Sequence, residues 1–148
     1  MTNREWARDG FTVSTDPARL DFGVVHGFLT TSYWSPGISR AKVERAAAHS
    51  LVFGLYEGAA QVGYARVVTD FTAVAYLGDV FVLEQWRGRG LSKFLMECIV
   101  AHPELQGLRR WILLTRDAHG LYRQFGFTDI VNPERWMHRW DPDASRRP

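Results

Sequence analysis

Val80-Phe81-Val82-Leu83-Glu84-Gln85-Trp86-Arg87-Gly88-Arg89-Gly90-Leu91-Ser92-Lys93 joins an apolar run to an amphipathic one through a turn of glycines and arginines. Asp79 to Leu83 is a short apolar run with the composition of a buried strand. After Gly90 the apolar residues fall at Leu91, Phe94, Leu95, Cys98 and Ile99, which is helical spacing with one buried face. The period therefore changes across a polar turn that holds two glycines and two arginines. A strand-to-helix turn of this kind aims several backbone N–H groups and the positive end of the helix dipole at one point. Arg87 and Arg89 add full charges, and the whole predicts an anion site of the phosphate or pyrophosphate class.

Downstream, Pro103 ends the helix, and Arg109 to Thr115, with Trp111-Ile112-Leu113-Leu114 at its heart, reads as another buried strand. A helix separates it from the preceding strand, so the two should be parallel neighbours in a right-handed crossover. A short helix from Arg116 to Gln124 is stopped by Gly126, and Phe127 to Val131 and Trp136 to Trp140 are expected to close the sheet as an antiparallel pair. Upstream, Phe11 to Thr15 reads as a first strand. Asp16-Pro17 opens a helix from Ala18 to about Thr31, and Ser32-Tyr33-Trp34-Ser35-Pro36-Gly37 is a loop. Ser39 caps a second helix through Ala48. Leu51 to Tyr56 and Gln61 to Thr69 form a hairpin, and Ala73 to Leu83 is a long strand with Gly78 marking a bulge. The order is that of an α+β (mixed α/β) protein with a mixed sheet flanked by about four helices.

The chain of 148 residues fits one domain, 1–148, with an ordered core over 10–140 and a frayed tail over 141–148. A net charge of +2, with the basic residues scattered, argues against nucleic acid. The one cysteine, Cys98, excludes a disulfide framework and sits on the apolar helix face, where a small core residue is expected. The first ten residues lack a signal-peptide core, and no apolar run reaches the roughly 20 residues of a membrane span. These features lead to the expectation of a cytoplasmic protein with no membrane partner. His26, His49, His102, His119 and His138 show no ligand spacing, so no metal is expected.

The turn does not fit the other phosphate motifs. A P-loop needs G-x-x-x-x-G-K-[ST], a spacing absent here, and a dinucleotide fingerprint needs a third glycine where Lys93 stands. Gln85-Trp86-Arg87-Gly88-Arg89-Gly90 instead matches [Q/R]-x-x-G-x-[G/A], and so resembles the pyrophosphate motif of the GNAT superfamily of acyl-CoA N-acyltransferases. Leu121-Tyr122-Arg123-Gln124-Phe125-Gly126-Phe127 resembles that superfamily's "L-Y-x-x-x-G-F" signature, and the element order is also that of its fold. The resemblance covers Phe11 to Trp140. The sequence departs at Glu84, where proline is common. It implies a GNAT-like, mostly antiparallel sheet in which β4 and β5, the fourth and fifth strands read here at Ala73–Leu83 and Arg109–Thr115, are parallel and splay apart.

The same resemblance implies a chemistry. It makes acetyl-CoA the acyl donor, with the pantetheine arm against the backbone of Phe81 and Val82. Arg87, Gly88, Arg89, Gly90, Leu91 and Ser92 would wrap the pyrophosphate, and His119 and Arg123 would meet the rest of the molecule. Tyr122 matches the tyrosine that assists the departing thiolate, with a buried core tyrosine as the alternative. An alkyl amine with a pKa near ~10.4 must lose a proton before attack. Asp79 is the first candidate to accept it, unless it caps or pairs with an arginine, and Glu84 is the second. Tyr33 and Trp34 lie on the loop that roofs the acceptor cleft in this fold and would contact the acceptor by packing or cation–π attraction. The resulting expectation is an N-acetyltransferase for a small primary amine, working by direct transfer in a ternary complex, with a homodimer as a fold-level possibility. The alternatives are a non-catalytic acyl-CoA sensor and a peptide or protein amine acetyltransferase.

Overall fold

Asp9 and Gly10 hold positive φ angles of 53° and 83°, the two-residue turn that matches the twist of paired strands. They join β1 (Glu5–Arg8) to β2 (Phe11–Ser14), a hairpin whose first strand lies in the polar N-terminus where no strand was expected. The computed structural model describes residues 1–148. α1 (Phe22–Leu29) and α2 (Arg40–Ala48) follow, then β3 (Leu51–Glu57), β4 (Ala60–Thr69), β5 (Val74–Val82), α3 (Leu91–Ala101), β6 (Arg110–Ile112) and α4 (His119–Arg123). The six strands lie in the order β1-β2-β3-β4-β5-β6, all neighbours antiparallel except β5 and β6. The mixed, mostly antiparallel sheet with four α-helices is the expected one. The added N-terminal strand makes its parallel pair the fifth and sixth strands, where β4 and β5 were expected.

Three local readings change for identifiable reasons. The first helix is broken because Asp16 and Asp21 each cap a separate segment. Asp16 starts a 3-10 turn over Pro17–Arg19, Leu20 is extended, and the Asp21 carboxylate accepts from the amides of Gly23 and Val24 at 3.0 and 3.3 Å. The last strand pair does not form. Asn132 adopts φ 57° and Pro133 begins another 3-10 turn, so the two candidate strands are separated by a bend and a missing N–H. That segment is held to β6 by side chains, with Phe127 edge-on to Trp111 at 6.2 Å and the Arg110 guanidinium 4.9 Å from the centre of the Trp136 ring. The tail, expected to fray, folds back on α2 and the loop before it. Lys42 Nζ donates to the Ala144 carbonyl and Ser145 Oγ to that of Pro36, both at 2.8 Å.

Alternation along the strands divides the core between the two faces of the sheet. Phe53, Leu55, Val62, Ala65, Val67, Leu77 and Val82 pack under Leu91, Phe94, Leu95, Cys98 and Ile99 of α3. Val52, Tyr64 and Phe81 pack on the other face against Val25 and Leu29 of α1 and Val43 and Ala47 of α2. Each fully buried aliphatic or phenyl side chain contributes roughly 1.5–3 kcal/mol. At Gly63 the strands come too close for a side chain, because a Cβ there would stand 2.9 Å from the Phe81 carbonyl oxygen. This places β4 tightly beside the end of β5, from which the site is built.

Candidate active site

β5 pairs with β6 only over Val74–Tyr76, so Leu77 to Val82 has a partner on its β4 side and an open edge on the other. Tyr64 pairs with Phe81 but Arg66 pairs with Gly78, so Asp79 and Val80 together face Ala65. This is a bulge, one residue beyond the expected position, and Asp79 absorbs it with φ 54°. Past the bulge the Leu83 amide donates to the Val62 carbonyl at 2.8 Å. Bonding groups alternate along an antiparallel strand, so Phe81 also directs its backbone towards β4, and Val82 directs its own towards the open edge. Of the two residues expected to offer backbone groups to a ligand, only Val82 turns its backbone to the open edge, and there its N–H is free while its carbonyl accepts from Arg87. Phe81 instead supplies a ring, stacked on Phe28 at 4.1 Å and 10°.

The turn after β5 gathers unpaired amides. Arg87 ties it to the strand: its N–H donates to the Glu84 carbonyl at 3.2 Å and its Nε to that of Val82 at 3.0 Å. Gly88 and Gly90 then hold φ of 80° and 76°, and Gly90 caps α3. A Cβ at either would meet nothing within 4 Å, so the backbone direction, not crowding, demands glycine. The first intrahelical bond runs from the Phe94 amide to the Gly90 carbonyl at 3.1 Å, and the amides of Gly88, Arg89, Gly90, Leu91, Ser92 and Lys93 have no acceptor in the protein. Six consecutive donors at a helix N-terminus suit a doubly charged anion. The Arg89 guanidinium lies 4.9 Å from the centre of the Trp86 ring, which keeps its charge beside this turn.

The loop between α1 and α2 bridges the strands that part below it. The Trp34 indole Nε1 donates to Asp79 Oδ1 on β5 at 2.9 Å, while the Arg116 amide, beyond β6, donates to the Tyr33 hydroxyl at 3.0 Å. Tyr33 and Trp34 meet edge-to-face at 5.0 Å, and Trp34 leans on Phe28 at 6.1 Å. Both expected acceptor-side aromatics are thus on the roof of the gap and remain partly exposed, at 47% and 38%. One face of Tyr33 is already covered by Arg116, 4.0 Å from its ring centre, so a cationic acceptor could use Trp34 but not that face. The other Asp79 oxygen, Oδ2, accepts from Arg66 Nε at 2.5 Å. With both oxygens held by donors, Asp79 is built as an anchor, the arginine-paired alternative of the sequence reading, and is poorly placed as a free proton acceptor. Glu84 is exposed in a 3-10 turn.

Tyr122 is held from both sides of its signature. Gly126, at φ 87°, reverses the chain after α4, and the Phe127 amide returns to the Tyr122 carbonyl at 3.3 Å. The Phe127 ring then packs on Tyr122 at 5.9 Å. Tyr122 is 8% exposed, and its hydroxyl makes no hydrogen bond within the protein yet is not sealed from solvent. Burial, with Tyr33 nearby, pushes its pKa up to about 12. His119 and Arg123 share α4 but lie on its exposed side, and Arg123 donates to Asp129 at 2.8 Å. No three side chains of His, Cys, Asp or Glu come together as a metal site, and no helix is long and apolar enough to cross a membrane.

Residues 48–129 match the profile of the acetyltransferase (GNAT) domain, more than half of the chain. The chain belongs to the GNAT acetyltransferase family. A Gibberella zeae protein named as an acetyltransferase is 29% identical over 150 residues, spanning 85% of this chain and 84% of that one. The crystal structure of a GNAT-family protein from Xanthomonas campestris pv. campestris is 47% identical, with a TM-score of 0.91 over 95% of this chain and all 100% of the other. A GNAT acetyltransferase from Elizabethkingia anophelis, whose structure has acetyl-CoA bound, shares the fold at 13% identity and TM-score 0.63, over 82% of this chain and 78% of that one.

Three contributors to this GNAT site had no sequence signal. Arg66, Phe28 and Arg116 reach it only through the bulge, the helix packing and the roof. Cys98 is buried and its thiol is pushed up to about 12 by burial, so it is a core residue and not a nucleophile. Buried tyrosines set an alkaline limit on the stability of this chain. Burial raises Tyr56 and Tyr122 to about 12, and Tyr64 also rises. In the unfolded chain these phenols ionise near ~10. Their contribution is therefore complete below pH ~10 and lost as the pH rises towards ~12. Urea midpoints measured across this range should stay level to about pH 9 and then fall, with tyrosinate absorbance rising in step with unfolding.

Proposed function

We propose that the protein transfers the acetyl group of acetyl-CoA to a primary amine of a small molecule by direct transfer in a ternary complex. The observation that carries this reading is the run of six unpaired amides from Gly88 to Lys93 beside the open edge of β5. Those donors fit a pyrophosphate, and the free Val82 N–H fits an amide carbonyl added as a strand would be. Acetyl-CoA supplies the activated acyl group as a thioester. The chain's part is to bind, orient and shield. Gly88 to Ser92 hold the charged end, with Arg87 and Arg89 adding charge, while His119 and Arg123 flank the remainder from α4. Tyr33 and Trp34 cover the acceptor side.

Tyr122 acts in this reading as a hydrogen-bond donor to the departing sulfur. With its pKa near 12 it stays protonated at neutral pH. Complete transfer of its proton to a thiolate of pKa ~8.5 would be uphill by roughly 5 kcal/mol, so donation of a hydrogen bond, with solvent completing protonation, is the favoured role. The amine's proton leaves to water along the exposed mouth, because Asp79 is committed to Arg66 and Trp34. Thiol release measured with acetyl-CoA across a panel of primary amines tests the proposal. Amine-dependent release supports it, whereas binding without release for any amine would make the chain an acyl-CoA sensor.

A further inference from the structure

We propose that Arg66, Asp79 and Trp34 form a latch that fixes the aromatic roof over the acceptor side of the cleft, making Arg66 a positioning residue for the acceptor amine. The inference rests on the acetyltransferase reading for its consequence and on the geometry for its existence. Asp79 is a non-glycine residue in the left-handed region, a conformation that Asp and Asn tolerate best and that persists where surroundings hold it. The surroundings here are specific. Arg66 on β4 bonds one carboxylate oxygen and the Trp34 indole bonds the other. The Arg66 and Asp79 side chains are only 21% and 11% exposed, so their bond is shielded in a way that the other surface ion pairs are not.

The latch extends beyond its three members. Arg66 Nη1 reaches Ser50 Oγ at 3.4 Å, and that hydroxyl donates to the Ala46 carbonyl near the end of α2 at 2.6 Å. The bulge of β5, the strand β4, the end of α2 and the roof are thereby joined through one guanidinium. The arrangement is also neutral in sum, since the arginine and the aspartate cancel. What Trp34 presents to the cleft is an oriented apolar ring, already flanked by Phe28 and Tyr33. Such a surface fits an amine carried on an aromatic or apolar body, whose neutral form is also the nucleophile.

Asp79→Asn keeps the left-handed conformation while losing the ion pair, and Trp34→Phe keeps a ring while losing the N–H. Hydrogen exchange of residues 31–37 reads the latch without any substrate, and kinetics with 2-phenylethylamine and acetyl-CoA reads its consequence. Each variant should speed loop exchange about tenfold, leave exchange in β3 unchanged, and raise KM for 2-phenylethylamine several-fold with kcat nearly constant. Arg66→Met should do the same, with Arg66→Lys intermediate because lysine keeps the charge and loses the fork. Unchanged loop exchange would overturn the latch; faster exchange with unchanged KM, or failure of the wild-type enzyme to acetylate 2-phenylethylamine, would overturn the positioning role of Arg66 for the acceptor. Absence of acetyl-CoA binding by the wild type would instead refute the acetyltransferase reading, which the exchange measurement does not depend on.

Discussion

Tyr122→Phe should slow acetyl transfer about 10- to 100-fold while leaving acetyl-CoA affinity within about twofold. A hydrogen bond to a charged group contributes about 1.5–3 kcal/mol, and in the proposed reaction the charge appears on sulfur only as the thioester breaks. The phenylalanine ring would keep the packing against Phe127, since the hydroxyl has no partner in the protein whose loss could loosen the fold. Stability should therefore stay level or rise. Pre-steady-state thiol release and a thermal melt on the same variant separate the two roles. A parallel loss of rate and melting temperature would return Tyr122 to the plain core residue left open by its sequence pattern.

Gly90→Ala should weaken acetyl-CoA binding at least tenfold and cost the fold roughly 1–2 kcal/mol. The position holds φ 76°, where an L side chain is strained although no protein atom obstructs a Cβ. Relief of that strain rotates the peptide groups on either side, and the amides of Gly90 and Leu91 then no longer point with their neighbours. Calorimetric titration and denaturant melts give the two losses separately. An affinity equal to that of the wild type would mean the turn amides are not the pyrophosphate site.

Much of this was readable before the structure because the relevant signals are local. The change of period across Leu83 to Leu91, the glycines of the turn and the signature around Tyr122 each depend on residues within one or two turns of chain. The missed hairpin was local as well. Asp9-Gly10 is a strong hairpin dipeptide, masked by the polar residues of β1 around it. Asp21 similarly splits a helix whose apolar spacing alone reads as continuous. The last two strands carried strand composition, but Asn132-Pro133 and a β6 only three residues long left them no ladder to join. The fate of Asp79 was illegible for a different reason. Its partners, Arg66 and Trp34, are 13 and 45 residues away and meet it only because a bulge turns its side chain between them. The contact of Tyr33 with Arg116, across 83 residues, is likewise a product of the assembled roof.

In the proposed reaction Gly88 to Lys93 cradle the pyrophosphate of acetyl-CoA. Calorimetric titration of the wild-type protein and of Gly90→Ala with acetyl-CoA, set against acetyl-pantetheine, which lacks the diphosphate together with the 3′-phosphoadenosine, distinguishes the turn from the rest of the cofactor site. Wild-type protein should bind acetyl-CoA with micromolar affinity and acetyl-pantetheine at least about 100-fold more weakly, the loss of several charge-assisted bonds, while Gly90→Ala should weaken acetyl-CoA at least about tenfold and acetyl-pantetheine hardly at all. Equal affinity of the wild type for the two, or no binding of acetyl-CoA at millimolar concentration, would contradict this role of the turn.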